Sequence, residues 1–569
     1  MCGLGLWGID RGGMWRDEAV TAQVARRSVP QIWRLLHGVD AVHGVYYLLM
    51  HVVLAVRPGE VALRLPSVGA AALTAGLVAA IGARLARPRV GLWAGLLYAV
   101  TPMTGHYAQE GRSYALVAAG AAGATLLLLR ALEGRSWWPY GLVVAATCLL
   151  HELAVLVLLA HAVTLALARV PARTWRGWAY AGGGAVLVLL PLAVVSHGQA
   201  RQVAWLTAPD GEQVRMLLHA FTGPTRAVRW TYAGLVGAAL AEGWRRRPSV
   251  VGVALPWAVL PPALLMTVSQ VRPLYDDRYV LYALAGVPLL AAAGADRLVT
   301  AAGRLRRAAG SGAYAAFGAC TGSRGGVDTS AGPGTRAGAT PVPVLRALRA
   351  VPVLRVLRVV RVLRTPRLPL AALLGALAVA LSFVHQFPAH REDRWAGHRP
   401  DNLAAVSALA ARELRPGDPV LFLPALGRRS EAAYPGGFRK GRDVALATPG
   451  AESGTLYGRE VGVRALRRRL APLDRLWVFA EPYALDSPWY PSDPTERLKL
   501  TVVGEEFVPQ EQFVRRGVTL RLYVRRPTAV RPADGSAADR DAADGDAVGG
   551  RAVSGDPAVS PGPPRRAPW

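Results

Sequence analysis

Apolar runs of about twenty residues recur along this sequence, and that length lets a helix cross a ~30 Å hydrocarbon layer. They run from Arg64 to Leu85, Val90 to Tyr107, Tyr114 to Leu132, Trp178 to Val195, Ala227 to Ala241, Val250 to Val268, Tyr279 to Val299 and Leu368 to Phe387. The longer stretch Trp137 to Ala168 is interrupted at His151-Glu152 and reads as two helices. Within hydrocarbon every backbone N–H and C=O must be satisfied inside the segment, so such runs fold as helices. With 52% hydrophobic and 18% charged residues and a mean hydropathy of +0.25, the chain is neither disordered, collagenous nor a simple soluble enzyme. The fold class that follows is an α-helical polytopic membrane protein. A small extracytoplasmic α/β domain lies near its C-terminus.

The 66 Lys+Arg exceed the 38 Asp+Glu, for a net charge of +28. The arginines gather between apolar runs, as Arg84-Arg87-Arg89, Arg130-Arg135, Arg169-Arg173-Arg176 and Arg245-Arg246-Arg247, on alternate connections. That alternation is the positive-inside pattern and marks these connections as cytoplasmic. Asp17-Glu18, Gln109-Glu110, His151-Glu152 and Asp276-Asp277-Arg278 then all face the other side. No nucleic-acid-binding motif accompanies the charge, so no nucleic-acid partner is expected. Cys2, Cys148 and Cys320 are too far apart for a disulfide framework or a zinc site, and no cleavable signal peptide is visible.

Residues 1–299 form a transmembrane module. Met1 to Met14 is too short and Gly-rich to span, although Asp17-Glu18 must be external; an upstream helix missing from the start is the expected reason. Residues 300–367 are a basic cytoplasmic insert, disordered in its Gly/Ala-rich part, with Arg346, Arg349, Arg355, Arg358, Arg361, Arg364 and Arg367 at a period of three. Voltage-sensor helices share that period, but Pro352 and Pro366 would break one, so the segment reads as binding the lipid surface. Residues 368–387 are the last span and 388–526 the external α/β domain. In that domain Asn402 to Leu414 and Val463 to Leu470 read as helices. Val420 to Leu423, Leu476 to Phe479, Thr501 to Phe507 and Val518 to Val524 read as strands. Residues 527–569 are a disordered tail.

Five motifs carry chemistry. Trp15-Arg16-Asp17-Glu18-Ala19, followed by Thr21, offers adjacent carboxylates that point to different sides: one can serve as base while its neighbour makes structural bonds or binds a divalent metal. Equally, Asp17 could cap the helix that follows. His106-Tyr107-Ala108-Gln109-Glu110-Gly111-Arg112-Ser113-Tyr114 places an acid and a guanidinium at a membrane boundary, where they either pair with each other or are used. Arg64-Leu65-Pro66-Ser67 and Asp277-Arg278-Tyr279 place arginines where spans open from outside, a depth that suits either a phosphate or headgroup snorkelling. Asp40-Ala41-Val42-His43-Gly44-Val45-Tyr46-Tyr47 with His51 lacks metal-ligand spacing, and no metal site is assigned. His151 sits at the break between two spans and reads equally as a buried, hydrogen-bonded side chain.

The ordered succession W-x-D-E-A-x-T, D-x-x-H-x-x-Y-Y, A-x-R-L-P-S, Y-x-Q-E-x-R-S-Y-A-L, a later His and D-R-Y resembles the GT-C class of lipid-linked-sugar glycosyltransferases. Its pattern is similar to the family 39 protein O-mannosyltransferases, the aminoarabinose transferases and their bacterial mannosyltransferase-like cousins, over about Trp15 to Leu298. The resemblance implies a GT-C-like module at 1–299. It also implies Asp17 as base with Glu18 beside it, and Glu110 as a second acid organising the site. Arg64, Arg112 and Arg278, with Tyr279, would then hold the donor phosphate, and His43, Tyr47, Gln109 and His151 would line the substrate site. Relatives often show His-Pro-Pro where this chain has His43-Gly44-Val45.

On this reading the partners are a polyprenyl-phosphate-linked sugar, with mannose the family-level expectation, an extracytoplasmic hydroxyl acceptor (protein, lipid or wall glycan) and the membrane lipids. The phosphate is already a good leaving group, so the site needs cations and a base rather than an acid, and displacement inverts the anomeric centre. A transporter or flippase of a lipid-linked or anionic substrate would use similar charges, but its site would lie near the midplane. A membrane-anchored scaffold working through its external domain is the third reading.

Overall fold

The computed structural model describes residues 1–241, 248–321, 370–395, 401–486, 489–515 and 518–527. The period-three arginines, the cluster Arg245-Arg246-Arg247 and the tail from 528 lie outside the described residues. The chain opens with four short helices, α1 (Cys2–Leu6), α2 (Arg16–Ala25), α3 (Val29–Leu36) and α4 (Gly44–Val56). The bundle follows as α5 (Glu60–Leu85), α6 (Pro88–Val100), α7 (Pro102–Tyr107), α8 (Tyr114–Leu132), α9 (Trp138–Leu150), α10 (Leu156–Ala168) and α11 (Ala172–Gly198). It continues through α12 (Gly211–Thr222), α13 (Arg226–Leu240), α14 (Val250–Val268), a 3₁₀ segment Asp277–Ala285 running into α15 (Gly286–Thr321), and α16 (Leu370–Asp393).

Five described helices are long and apolar enough to cross a membrane: Glu60–Leu85, Tyr114–Leu132, Ala172–Gly198, Val250–Val268 and Asp277–Arg304. Ala41–Val56, Trp138–Leu150 and Glu152–Ala168 are apolar but shorter. The run Val90 to Tyr107, expected as one span, is two helices. Pro102 forces Thr101 out of the helical region to ψ 127°, and α7 restarts from there. The stretch Ala227 to Ala241 forms α13, whose 15 residues fall short of a full crossing. His151 is extended (φ −164°) and separates α9 from the 3₁₀ turn that leads into α10, as its polar break predicts.

Helices α5 and α6 meet backbone to backbone. A Cβ on Gly91 would lie 2.2 Å from the Ala79 carbonyl oxygen, so only glycine permits the contact. At one end of the bundle Arg84 pairs with Glu133, and Arg87 (3.4 Å) and Arg89 converge on Asp296. The short acidic connections lie at the opposite end. Trp93, Tyr98, Val117, Leu128, Tyr140, Trp257 and Leu289 are among the buried residues filling the core between them.

The C-terminal domain is a five-stranded sheet of order β2-β1-β5-β7-β6, built from β1 (Asp418–Leu423), β2 (Gly441–Asp443), β5 (Arg475–Ala480), β6 (Phe507–Arg515) and β7 (Val518–Arg525). Strand β1 runs parallel to β2 and β5, and β7 is antiparallel to β5 and β6. A separate pair, β3 (Leu446–Thr448) and β4 (Arg459–Glu460), is antiparallel. Of Thr501 to Phe507, read as a strand, Thr501 to Glu506 is instead the second half of the helix Pro494–Glu506, and Phe507 opens β6. Asp493 caps that helix by accepting from Thr495 N and Glu496 N, and Leu498, Val502 and Val503 bury one face at helical spacing, which overrides the β-branched local sequence.

Candidate active site

Helix α2 starts two residues earlier than a cap at Asp17 would require: Trp15 is the N-cap, and Asp17 and Glu18 occupy the first turn, where the helix dipole favours carboxylates. About 100° of rotation per helical residue sends the two side chains to different places. Glu18 points down and is fully buried, receiving Arg64 Nε and Nη2 at 2.8 Å each and the Gly111 N–H at 3.0 Å. Arg64 also donates to the carbonyls of Ile9 (2.7 Å) and Gly13 (3.3 Å). This pair is the floor of the site, and Arg64 has no face turned to the opening (0% exposed).

Asp17 points across the floor. Its Oδ2 accepts from Arg278 Nη1 at 2.7 Å and lies 3.6 Å from Arg112 Nη2. Burial pushes the carboxyl up, but Arg112 and Arg278 outweigh it and hold Asp17 below its ordinary value. The Arg278 guanidinium stands 5.7 Å over the Tyr114 ring and 5.6 Å over Tyr279, within cation–π range, with Asp276 behind it at 3.3 Å. His151 lies between Tyr279 (4.9 Å), Tyr114 (5.9 Å) and His43 (6.1 Å). Burial pushes its imidazole down to about 3, with Arg278 and Arg112 adding to the effect, so it is a neutral hydrogen-bonding ring. Arg112 reaches Thr21 Oγ1 and Tyr47 Oη at 3.5 Å each, and Tyr47 donates to Asp40 Oδ2 at 2.9 Å.

Asp17, Arg112, Arg278, Tyr279, His43, Tyr47 and His151 thus cluster together from five separate segments of the chain. Glu18 and Arg64 lie beneath this cluster as a closed pair. Glu110 is buried beside it, and its side chain does not pair with the Arg112 guanidinium: its carbonyl accepts the Arg112 N–H at 2.8 Å, but neither carboxyl oxygen has a hydrogen-bond partner among the described residues, and burial pushes the carboxyl up to about 7. Gln109 turns away, its amide nitrogen donating to Gly5 and Trp7 carbonyls at 2.8 Å each, so it secures the N-terminal segment. Among the described residues no three of His, Cys, Asp and Glu gather to hold a metal ion.

Sequence reasoning passed over Asp40, although it opens one of the ordered motifs. It sits in the left-handed region (φ 57°), unusual for a non-glycine and a form of strain that gathers at functional sites. Gln202 accepts its N–H at 3.2 Å, and Gln199 accepts that of Ala41 at 2.9 Å. Tyr114 was quoted without a role, and its position under Arg278 depends on packing. The C-terminal domain also closes on the site. Asp401 receives both ends of the Arg16 guanidinium (2.8 and 2.9 Å), and the Tyr434 hydroxyl accepts from Met14 N (2.6 Å) and donates to Glu60. Arg27 reaches the carbonyls of Gly450 and Leu456.

The family described as dolichyl-phosphate-mannose-protein mannosyltransferase matches residues 44–197. No curated protein matches the sequence significantly. Among solved structures, apo ArnT from Cupriavidus metallidurans superposes with a TM-score of 0.53 at 14% identity, covering 91% of this chain and 96% of that one. The same protein bound to undecaprenyl phosphate gives 0.53 at 13% identity, with the same coverage. Helices, connections and C-terminal sheet therefore share one architecture, and this chain has the GT-C fold.

Proposed function

We propose that this protein is an integral membrane glycosyltransferase that moves a sugar from a polyprenyl-phosphate donor to a hydroxyl acceptor on the outer face. The observation that carries the reading is Asp17 held between Arg278 at 2.7 Å and Arg112 at 3.6 Å, where three distant segments meet. The undecaprenyl phosphate in the ArnT structure and the family match at 44–197 support the same donor class.

The chemistry follows from the charges. Two guanidiniums that converge on one carboxylate can turn to a phosphate instead, which offers more acceptor oxygens and more negative charge. A donor phosphate seated on Arg112 and Arg278 stabilises the leaving group. It also draws both cations away from Asp17, whose proton affinity then rises. The base is thereby activated when the donor is in place, and it accepts the proton of the acceptor hydroxyl as that oxygen attacks the anomeric carbon from the face opposite the phosphate. Arg64 is assigned to the floor rather than the phosphate because its donors are already used on Glu18, Ile9 and Gly13. His43, Tyr47, His151 and Tyr279 supply neutral hydrogen-bonding and ring surfaces for the sugar, and mannose is the sugar proposed.

The test is transfer from labelled polyprenyl-phosphate sugars by membranes containing the wild type or Asp17→Asn. Loss of product with retained undecaprenyl-phosphate binding supports the reading. Near-normal turnover by Asp17→Asn removes the base. A transporter would bind the same lipid but yield no glycosylated product in this assay.

A further inference from the structure

A helix leaves its first backbone N–H groups without partners inside the helix, and a side-chain oxygen at the N-cap normally accepts one of them. Helix α2 begins after Trp15, whose indole can only donate, so its cap position supplies no such acceptor. The acceptor comes instead from the C-terminal domain. Asp401 Oδ2 receives the Arg16 N–H at 3.1 Å, and the same carboxylate holds the Arg16 guanidinium through Nε at 2.8 Å and Nη2 at 2.9 Å. A carboxylate at that place also meets the positive end of the helix dipole. Just upstream, the Tyr434 hydroxyl accepts the Met14 N–H at 2.6 Å and donates to Glu60, whose other carboxyl oxygen lies 3.7 Å from Arg64 Nη1.

The groups that supply these bonds are themselves fixed. Asp401 is buried and immediately precedes Asn402, the N-cap of the helix Leu403–Glu413, which accepts from Ala405 N at 3.1 Å. That helix closes on the chain just before α2. A Cβ on Gly13 would lie 2.7 Å from Ala404 Cβ and 3.1 Å from Tyr434 Oη, so any side chain there would push the two apart. Met14, Ala19 and Val20 share one buried apolar cluster with Leu403 and Ala433 of the domain. The domain also holds the chain past the last residue of α2, where Arg27 donates to the Gly450 and Leu456 carbonyls at 3.1 and 3.3 Å.

We propose that Asp401 and Tyr434 are positioning residues for Asp17, fixing the start of α2 and so the direction in which its carboxylate leaves the first turn. The inference rests on the proposed function, in which Asp17 is the base. Asp17 is the second residue of the helix and stands between two anchors. Arg16 before it is held by Asp401, and Glu18 after it is held at the floor by Arg64. Without the first anchor the opening turn frays, and the carboxylate leaves its line to Arg278 at 2.7 Å. A displacement of about 1 Å in a reacting group can cost on the order of 10²-fold in rate. The C-terminal domain therefore acts on the reaction through α2.

The test is a double-mutant cycle on turnover, run on the full chain in its native membranes with labelled polyprenyl-phosphate sugars as donor. Asp401→Ala and Tyr434→Phe should each lower turnover about ten- to a hundredfold, with undecaprenyl-phosphate affinity unchanged to within about twofold. In an Asp17→Asn background the same two changes should cost less than about twofold, because a group that acts through Asp17 then has nothing to position. Arg27→Gln, which weakens docking beyond the far end of α2, should keep turnover within about twofold of the wild type. Three results overturn the inference: wild-type turnover in both Asp401→Ala and Tyr434→Phe, an equal loss with and without Asp17→Asn, or a loss in Arg27→Gln as large as theirs. If Asp401→Ala does not fold, Tyr434→Phe, which keeps the ring and loses only the hydroxyl, carries the cycle alone. Near-normal turnover in Asp17→Asn by itself removes the base, a separate outcome.

Discussion

Arg64→Met separates a structural arginine from a phosphate-binding one. The guanidinium is fully buried and makes two charge-assisted bonds to Glu18 and two bonds to backbone carbonyls. Removing it takes two charge-assisted bonds from the buried Glu18 carboxylate, which keeps the Gly111 N–H at 3.0 Å. Breaking one side of such a buried pair costs about 3–5 kcal/mol. Replacing both members, as Glu18→Leu with Arg64→Met, removes the buried charges together and loses the Arg64 bonds to the Ile9 and Gly13 carbonyls, and the cost should fall to about 1–2 kcal/mol. Detergent-solubilised protein unfolded by heat and followed by tryptophan fluorescence reads the order wild type, double variant, single variant. Undecaprenyl-phosphate binding measured below the transition should survive in the double variant. A single variant of wild-type stability that has lost the lipid would place Arg64 at the phosphate and refute the assignment.

Asp17→Asn should lower turnover by roughly 10²–10⁴, the range for a lost general base, while undecaprenyl phosphate binds at least as tightly because Arg112 and Arg278 no longer face a carboxylate. Glu110 is held up to about 7 against an ordinary 4.5, so the folded state keeps a proton that the unfolded state releases. Its contribution to stability is full below about 4.5 and is lost as pH rises through about 7, at up to about 1.4 kcal/mol per pH unit. Thermal stability between those values should therefore fall with pH in the wild type and the dependence should flatten in Glu110→Gln; parallel slopes would mean that Glu110 does not carry the effect. Asp401→Asn removes the negative charge and one of the two oxygens that accept from Arg16 and should cost about 1–3 kcal/mol, read as faster proteolysis of the C-terminal domain at an unchanged bundle.

Much of the site was legible because its motifs are local. The acid pair at 17–18, the arginines at 112 and 278, and His151 in the gap between α9 and α10 each stand at a polar interruption of an apolar run, where charge is costly unless used. Roles were less legible than positions. Glu18 and Asp17 differ by one residue, but the helical turn sends one into a buried pair and the other toward the opening. Arg64 and Arg278 looked alike as arginines at span entrances; only packing closed the first on Glu18. The strand expected over Thr501 to Phe507 failed for a related reason, since β-branched residues carry a weak local preference that a capped, packed helix overrides.

The sequence by itself determined that the chain crosses a membrane repeatedly, where its polar breaks fall and which side types gather at them, because hydropathy and charge act over short windows and need no partner. Tertiary structure alone decided that Arg16 meets Asp401 across 385 residues, that Asp40 adopts a left-handed conformation beside Tyr47, and that Arg278 meets Asp17 across 261 residues. Those contacts arise from how helices and sheet pack together, and pairings between distant segments leave no periodic trace in a single chain.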